Sequence, residues 1–126
     1  MLKGLVTAGA VLGVAAVFPE SLVFPYFGVV LGLFSGILPG MAMAMPERAR
    51  PLVEWVAVVV TLGLGMAGFW VSPVYLAAAW VLHGIWGGLH AVTALGDPFP
   101  RSYPGFCLSF DTVMAGFVVY LWLLGT

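Results

Sequence analysis

Long apolar segments alternate with short polar breaks along the chain. The apolar segments occupy residues 2–18, 22–45, 52–70, 74–95 and 106–124. None of them shows the alternation of polar and apolar residues that is typical of membrane strands. Each is close to the length of about 20 apolar residues that a helix needs to cross a bilayer. The pattern predicts an all-α, polytopic transmembrane helical bundle of five spans, folded as a single domain over residues 1–126.

Proline, glycine and the few charged residues mark the breaks between these segments. The most polar break is residues 46–51 (PERARP), and a longer one covers residues 96–105. Within the second segment, Pro39 followed by Gly40 predicts a kink, because proline removes a helical hydrogen bond. The first segment contains a lysine and small residues, as a signal peptide does. It lacks a clear cleavage motif before Pro19, so we predict that it stays in place as a helix.

The composition excludes several classes of protein. Of the 126 residues, 63% are hydrophobic and 7% are charged, whereas a soluble domain carries about 25% charged residues. The chain therefore fits neither a soluble globular domain nor a disordered one. A net charge of -1 offers no basic surface for nucleic acid. The single cysteine, Cys107, excludes an intrachain disulfide.

The positions of the basic residues predict an orientation in the membrane. With five spans, Lys3, Arg48, Arg50 and Arg101 all lie on one side, and the other side holds Glu20 and no basic residue. Basic residues accumulate on the cytoplasmic side of membrane proteins. We therefore predict a multi-pass protein of the cell inner (plasma) membrane, with its N-terminus inside, its C-terminus outside and lipids as its partners.

Regularly spaced glycines predict where helices approach closely, because small residues allow close backbone contact in membranes. The second segment contains a four-residue repeat of Gly28, Gly32, Gly36 and Gly40. Shorter pairs are Gly9 with Gly13 and Gly84 with Gly88. We predict packing within one chain at these positions, so that Gly32→Leu disrupts it. The alternative is that the glycine-rich faces join copies of the chain into a homo-oligomer.

Five reactive side chains lie inside the apolar segments. They are Glu54, His83, His90, Cys107 and Asp111. Ionisable groups in a membrane span are costly and therefore indicate a functional site. His83 and His90 share one stripe of a helix about 10 Å apart along its axis, since seven residues make nearly two turns. Cys107 and Asp111, four residues apart, share a face of the fifth span.

Depth in the predicted spans suggests which of these groups meet. Glu54, His90 and Asp111 lie three to five residues from the same end of their spans, and His83 lies near the middle. The spans of His90 and Asp111 are consecutive and antiparallel, and the short connection between them favours packing side by side. We therefore predict a direct or water-bridged contact between His90 and Asp111, with Cys107 on an adjoining face.

Each of these residues also has a purely structural interpretation. Glu54 would be a solvated acid at a helix start, where the helix dipole favours negative charge. His83 would make a neutral hydrogen bond between helices. His90 and Asp111 would form a structural pair, and Cys107 would be a small buried apolar side chain.

The same residues suggest acid–base chemistry rather than metal binding. Histidine, aspartate and cysteine are zinc ligands, but histidines that bind one metal from one helix usually lie three or four residues apart. A carboxylate beside a histidine sets its tautomer and its basicity. We therefore predict neither a metal nor another cofactor. The predicted catalytic residues are His83, His90 and Asp111, and the predicted substrate-binding residues are Trp86, Tyr103, Cys107 and Glu54.

From His83 onward the chain resembles a family of small bacterial multi-pass membrane proteins that is defined only as a domain of unknown function. The shared pattern is H-x-x-W with a later histidine, a proline-rich loop, and F-C-x-x-x-D at the start of the last helix. The matching residues are His83, Trp86, His90, Pro104, Phe106, Cys107 and Asp111. Gly87 and Ala91 stand where the family has an acid and a second histidine. The resemblance covers about a third of the chain and implies that the matching residues form one unit.

Three functions fit these observations. The first is an intramembrane acid–base enzyme, such as an isomerase, cyclase or hydrolase, that acts on a lipophilic small molecule. The second is a small proton-coupled transporter in which the same groups relay protons. The third is a structural or lipid-binding membrane subunit whose polar cluster holds the helices together. A cavity open to the lipid would favour the enzyme, and a filled core would favour the structural subunit.

Overall fold

The computed structural model describes residues 1–45, 47, 50–92 and 99–125, and these residues form five helices. The helices are α1 (Leu2–Ala15), α2 (Glu20–Ala44), α3 (Pro51–Trp70), α4 (Pro73–Leu89) and α5 (Tyr103–Leu123). The structure is 84% helical and has no strand in its described part, which confirms the all-α class. Helices α2, α3 and α5 are long and apolar enough to cross a membrane, and α1 and α4 are shorter apolar helices.

Proline and serine determine where three of the helices begin. Pro51, Pro73 and Pro104 each occupy the first turn of a helix. Backbone N–H groups there have no acceptor within the helix, so proline, which lacks this group, loses no hydrogen bond. The Oγ atom of Ser72 accepts a hydrogen bond from the backbone N–H of Val74 and so caps α4. Helix α2 in contrast continues through two internal prolines, including the one at the predicted kink.

Two helix ends differ from the predicted spans. Helix α4 ends at Leu89 and not at residue 95, and residues 93–98 lie outside the described part of the chain. Helix α5 begins at Tyr103 and not at residue 106. Asp111 therefore lies eight residues into its helix, and His90 follows the last residue of α4. Both shifts change which residues share a depth in the bundle.

Helix α4 is packed between two antiparallel neighbours. Its most extensive contacts are with α5, and it also packs against α3. Gly68 near the end of α3 contacts Leu76 near the start of α4. Gly84, later in α4, contacts Asp111 in the first half of α5. Helix α2 packs against α3, and α1 packs against α5.

Aromatic side chains fill the centre of the bundle. Phe27 and Phe34 of α2 contact Phe117 and Phe110 of α5, with ring centroids 5.9 Å and 4.5 Å apart. Trp80 of α4 packs edge-on against Phe110 at 5.6 Å. Trp80, Phe27 and Phe110 have no exposed surface. These residues bring α2, α4 and α5 around a common core.

The predicted role of the glycines holds at some positions and is wrong at others. A Cβ atom on Gly28 would collide with the ring of Phe69, and one on Gly84 would lie 2.9 Å from Asp111 Cβ. At Gly32 the nearest side-chain atom, Leu62 Cδ2, is 4.0 Å away, which is an ordinary contact. A Cβ atom would meet no described atom within 4 Å at Gly9, Gly13, Gly36, Gly40 and Gly88. The spacing of glycines therefore did not reveal which of them touch a neighbouring helix.

We predict opposite effects for two alanine substitutions on the glycine-rich helices. Gly68→Ala places a Cβ atom 2.6 Å from Leu76 Cβ and 2.8 Å from its backbone nitrogen, so it should destabilise the protein by about 1–3 kcal/mol. Gly36→Ala meets open space and should raise stability slightly, because alanine favours helices by about 1 kcal/mol. Thermal unfolding in detergent measures both, and equal unfolding temperatures would contradict the packing at Gly68.

Candidate functional site

Helices α3, α4 and α5 carry all the predicted site residues into one half of the bundle. The residues are Glu54 on α3, His83 and Trp86 on α4, His90 at the end of α4, and Tyr103, Cys107 and Asp111 on α5. Glu54, His83, His90, Cys107 and Asp111 are each at most 4% exposed. The residues form two separate polar groups at different depths, and each group contains one histidine and one carboxylate.

The first group is the pair of His83 and Asp111, here called the His83–Asp111 dyad. The Nδ1 atom of His83 lies 2.9 Å from Asp111 Oδ2, within hydrogen-bonding distance. Gly84 makes this contact possible, because any side chain there would meet the Cβ atom of Asp111. The ring of His83 also lies edge-on to Trp80, with centroids 6.5 Å apart.

The dyad leaves two polar atoms without partners. His83 Nε2 and Asp111 Oδ1 are both buried, and neither has a hydrogen-bond partner among the described residues. Ser35 Oγ, Trp80 Nε1 and Tyr103 OH share this property, but the dyad is the ionisable pair among them. A buried polar atom without a partner costs about 1–3 kcal/mol. Such atoms are rare in proteins and require an explanation.

The second group consists of Glu54, Trp86 and His90, here called the Glu54 network. The Nε1–H of Trp86 donates to Glu54 Oε2 at 2.9 Å, and His90 Nε2 lies 2.8 Å from Glu54 Oε1. His90 Nδ1 lies 2.8 Å from the backbone carbonyl of Trp86. Every nitrogen and oxygen of these three side chains therefore has a partner.

The hydrogen-bond geometry of the Glu54 network also locates its protons. A carbonyl oxygen only accepts, so the Nδ1 atom of His90 must carry a proton and donate it to Trp86 O. The Nε2 atom then either donates to the Glu54 carboxylate or accepts from the protonated acid. In both cases one proton is shared between His90 and Glu54, and it binds α3 to the end of α4.

The predicted contact between His90 and Asp111 is wrong. Asp111 pairs with His83, and His90 pairs with Glu54. The reason is the position of the helix ends. Because α5 begins at Tyr103, Asp111 lies about 12 Å into the helix. It therefore lies level with His83, six residues before the end of α4, while His90 lies level with Glu54.

One structural interpretation from the sequence is also wrong. Glu54 is not a solvated acid at a helix start, because it is 1% exposed and bonded to two side chains. Trp86, a predicted substrate-binding residue, donates a hydrogen bond to that carboxylate. Cys107 is buried against Gly87. A Cβ atom on Gly87 would lie 2.7 Å from the Cβ atom of Cys107. Its contact holds α5 close to α4.

Phe99 packs against the Glu54 network, and Tyr103 packs against Phe99. The ring of Phe99 lies edge-on to His90 with centroids 4.8 Å apart, and it stacks on Tyr103 at 5.7 Å. Phe99 was not predicted as a site residue, and its place in the proline-rich break gave no signal for it. Gly84 and Gly87 were also missed as site residues. The sequence contained a signal for them. Gly84 and Gly87, three residues apart, share a face of α4, and Cys107 and Asp111, four residues apart, share a face of α5.

An apolar groove follows the outer surface between α4 and α5, and Asp111 lies on its wall. The α4–α5 groove has a volume of about 560 Å³ and runs from Val74 to Ile85 along α4. Small residues form much of its lining, namely Ala77, Ala78, Gly84, Ala115 and Gly116. Asp111 therefore borders an apolar groove, although only 1% of its surface is exposed and His83 is not part of the lining.

In the described part of the chain, no group of three or more histidine, cysteine, aspartate or glutamate side chains is placed to hold a metal ion. Each polar group offers only one histidine and one carboxylate. Neither protein-family models, curated proteins nor solved structures gave a match to this chain. The resemblance to the small bacterial membrane proteins therefore stays a prediction.

Proposed function

We propose that the chain crosses the membrane five times, with its N-terminus in the cytoplasm. Support comes from α3 and α5, which are long enough to span and which both pack antiparallel against α4. If α3 and α5 cross in the same direction, α4 must return between them. Lys3, Arg50 and Arg101 all lie at the end where α1, α3 and α5 begin, as the positive-inside rule requires.

Labelling of introduced cysteines tests this topology. In a Cys107→Ala background, we expect Glu20→Cys to react with an impermeant maleimide added outside intact cells. Glu47→Cys should react only after the membrane is opened, because it follows the second span. Both positions are exposed. Reaction of both from the same side would contradict the five-span topology.

We further propose that the protein is an intramembrane acid–base enzyme that acts on a lipophilic molecule. The observation that carries the proposal is the contrast between the two polar groups. The Glu54 network satisfies all its polar atoms, as a structural contact does. The His83–Asp111 dyad instead keeps two buried atoms without partners, and Asp111 borders an apolar groove. Buried ionisable groups with incomplete hydrogen bonding beside a cleft are candidates for a catalytic site.

The geometry assigns a role to each member of the dyad. Asp111 lines the groove and is the proton-exchanging group in this proposal. Its carboxyl group is buried in the structure, so proton exchange with a bound molecule requires a rotation of the side chain towards the groove. His83 Nδ1 faces Asp111 Oδ2 at 2.9 Å and stabilises the carboxylate that forms when Asp111 gives its proton away. This stabilisation is large in a site without water, because charges interact more strongly at low dielectric.

The transporter has less support from the same structure. A proton relay needs polar groups across the whole bundle, but the described polar groups stop near its middle. Between Trp80 and the turn at Ser72, the buried side chains are apolar and include Phe27, Leu76, Met114 and Val118. The third function, a structural or lipid-binding subunit, accounts for the Glu54 network but leaves the two unpartnered atoms of the dyad unexplained.

Hydrogen exchange at carbon tests the enzymatic proposal without knowledge of the substrate. The purified protein is incubated in deuterated water with vesicles made from the total lipid extract of its expression host. Mass spectrometry then identifies lipids that gain deuterium or change in mass. We expect at least one such lipid, with Asp111→Asn reducing the rate about 10²–10⁴-fold, as is typical when a general acid–base group is lost.

Glu20→Gln is the matched control for this experiment. It makes the same carboxylate-to-amide change at an exposed position in the first turn of α2, so its rate should equal that of the wild type. The proposal is wrong if no lipid gains label above a protein-free sample. It is also wrong if a folded Asp111→Asn variant works as fast as the wild type.

A further inference from the structure

A second groove opens between α1 and α2, at the end of the bundle where α1 and α5 begin. Helix α1 packs against α5, and α2 packs against α3, so α1 and α2 have few contacts with each other. They meet near their connection, where Tyr26 Oη donates to the carbonyl of Val11 at 3.1 Å and the Tyr26 ring contacts Phe18. Away from this connection they leave a groove of about 530 Å³, here called the α1–α2 groove. Its volume is in the range of ligand-binding sites.

Aromatic rings form the floor of the α1–α2 groove. Phe34 of α2 stacks on Phe106 of α5 with centroids 6.0 Å apart, and Phe106 stacks on Tyr103 at 6.4 Å. Leu2 of α1 and Ile37 of α2 line the same groove. From Phe34 to Ile37, and from Tyr103 to Phe106, the lining spans about one helical turn, or about 5 Å. The groove is therefore short, and it fits the part of a lipid next to the head group rather than a whole acyl chain.

The α1–α2 groove carries positive charge. Lys3 lines it, and Arg101 lies between two residues that also line it. Both basic side chains are exposed, and among the described residues neither forms an ion pair. No described residue in the lining is acidic. Ser102 also lines the groove and does not cap α5 with its side chain, so its hydroxyl is a further donor for an anion. The α4–α5 groove differs, because Asp111 lines it and no described basic residue does.

The packing of α1 on α5 holds Lys3 beside the start of α5. The Oγ atom of Ser109 lies 3.0 Å from the carbonyl oxygen of Met1. Gly4 contacts α5 so closely that a Cβ atom there would lie 2.6 Å from the carbonyl oxygen of Phe106. The backbone of Lys3 is therefore fixed within the first turns of α5, next to the segment that carries Arg101.

We infer that the α1–α2 groove binds an anionic phospholipid, with its phosphate beside Lys3 and Arg101 and its first acyl carbons on the aromatic floor. The apolar floor accepts any lipid, so the two basic residues provide the selection. A zwitterionic head group carries a cation next to its phosphate, and that cation is repelled by the same residues. Basic pockets between helices on the cytoplasmic side bind anionic head groups. The proposed topology places Lys3 and Arg101 on that side.

Native mass spectrometry of the detergent-purified protein tests the selection. The protein is mixed with equal amounts of a phosphatidylglycerol and a phosphatidylcholine that have the same acyl chains, and the added mass identifies the bound lipid. We expect phosphatidylglycerol to be retained in preference. One basic residue near a membrane surface favours anionic lipid about fivefold. Lys3→Gln and Arg101→Gln should therefore each lower the preference about fivefold, and the double variant should nearly abolish it.

Arg50→Gln is the matched control for charge. Arg50 is exposed, directly precedes α3 at the same end of the bundle, and does not line the α1–α2 groove. Its replacement should leave the preference for phosphatidylglycerol unchanged. If Arg50→Gln lowers the preference as much as Lys3→Gln or Arg101→Gln, the lipid responds to the overall charge of this end of the bundle and the inference is wrong.

A groove-filling variant tests the location of the lipid. Ile37 lines the α1–α2 groove and is partly exposed, so Ile37→Trp places a larger ring in the space beside Phe34. This variant should lose the bound phosphatidylglycerol. Leu33→Trp is the matched control, because Leu33 is an exposed residue of the same helix that does not line the groove. It should retain the lipid as the wild type does, and equal retention by the two variants would overturn the proposed location.

The remaining outcomes separate this inference from the proposed function. Equal retention of the two lipids by the wild type overturns the inference. A dimer of the protein that holds no lipid and is broken by Ile37→Trp also overturns it, because a second copy then occupies the groove. Asp111→Asn should retain phosphatidylglycerol as the wild type does, since Asp111 does not line the α1–α2 groove. The lipid site is therefore tested independently of the acid–base chemistry.

Discussion

Glu54→Ala will lower the stability of the protein by about 3–5 kcal/mol, the usual cost of removing one partner of a buried ion pair. The carboxylate of Glu54 accepts hydrogen bonds from Trp86 and pairs with His90, and it is 1% exposed. Its removal leaves a tryptophan N–H and an imidazole nitrogen buried without acceptors. Because these bonds join α3 to the end of α4, both helices should loosen together. Chemical or thermal unfolding in detergent measures the effect.

Two further variants make this prediction specific. Glu20→Ala removes an exposed carboxylate from the first turn of α2 and should change stability by about 0.5 kcal/mol or less. Glu54→Gln keeps one acceptor oxygen, so its loss of stability should lie between those of Glu20→Ala and Glu54→Ala. If Glu54→Ala unfolds at the same temperature as Glu20→Ala, the Glu54 network does not contribute to the fold.

The helices and the buried ionisable side chains of the candidate site were predictable from the sequence. Helices follow from the apolar segments, because backbone polar groups in a membrane must bond within their own segment or to a closed sheet. The site residues follow from the cost of an ionisable side chain in lipid. Glu54, His83, His90 and Asp111 had to find partners, and the structure gives each of them one.

The pairing of these residues was not predictable, because it depends on helix ends that composition marks poorly. The break before α5 contains several prolines, and any of them is compatible with the first turn of a helix. Moving the start of α5 from residue 106 to Tyr103 changes the depth of Asp111 by about 4.5 Å. The end of α4 moves as well, from residue 95 to Leu89, which changes the depth of His90 by about 9 Å. The two shifts together exchange His90 for His83 as the partner.

The glycines show a second limit of sequence patterns. The repeat in α2 is regular, yet Gly36 and Gly40 face open space, while Gly68 and Gly87, which belong to no four-residue repeat, touch neighbouring helices closely. A four-residue spacing of glycines shows that one face of a helix carries small residues. Whether another helix lies against that face depends on the side chains of the partner, such as Leu76 and Cys107 here.

Replacing the polar side chains by apolar ones should change stability in opposite directions at the two histidine–carboxylate pairs. The Glu54 network has complete hydrogen bonding, so its polar atoms contribute to the fold. The His83–Asp111 dyad leaves His83 Nε2 and Asp111 Oδ1 buried without partners, so it lowers stability relative to an apolar pair. Replacing a buried polar pair by apolar residues of similar size is often neutral or stabilising by about 1–4 kcal/mol.

We therefore expect the double variant His83→Leu with Asp111→Leu to be at least as stable as the wild type and to catalyse no hydrogen exchange. Leucine branches at the same atom as aspartate, so it fits beside Gly84, where the space is limited. Asp111→Leu alone should cost about 1–3 kcal/mol, because it leaves His83 Nδ1 buried without its partner. Unfolding in detergent of the two single variants and the double variant gives the coupling between the residues.

A double variant less stable than the wild type by more than about 1 kcal/mol would mean that the dyad holds the helices together, as a structural subunit requires. Equal or greater stability with loss of exchange is the trade-off expected of a catalytic site, where function is maintained at the expense of stability.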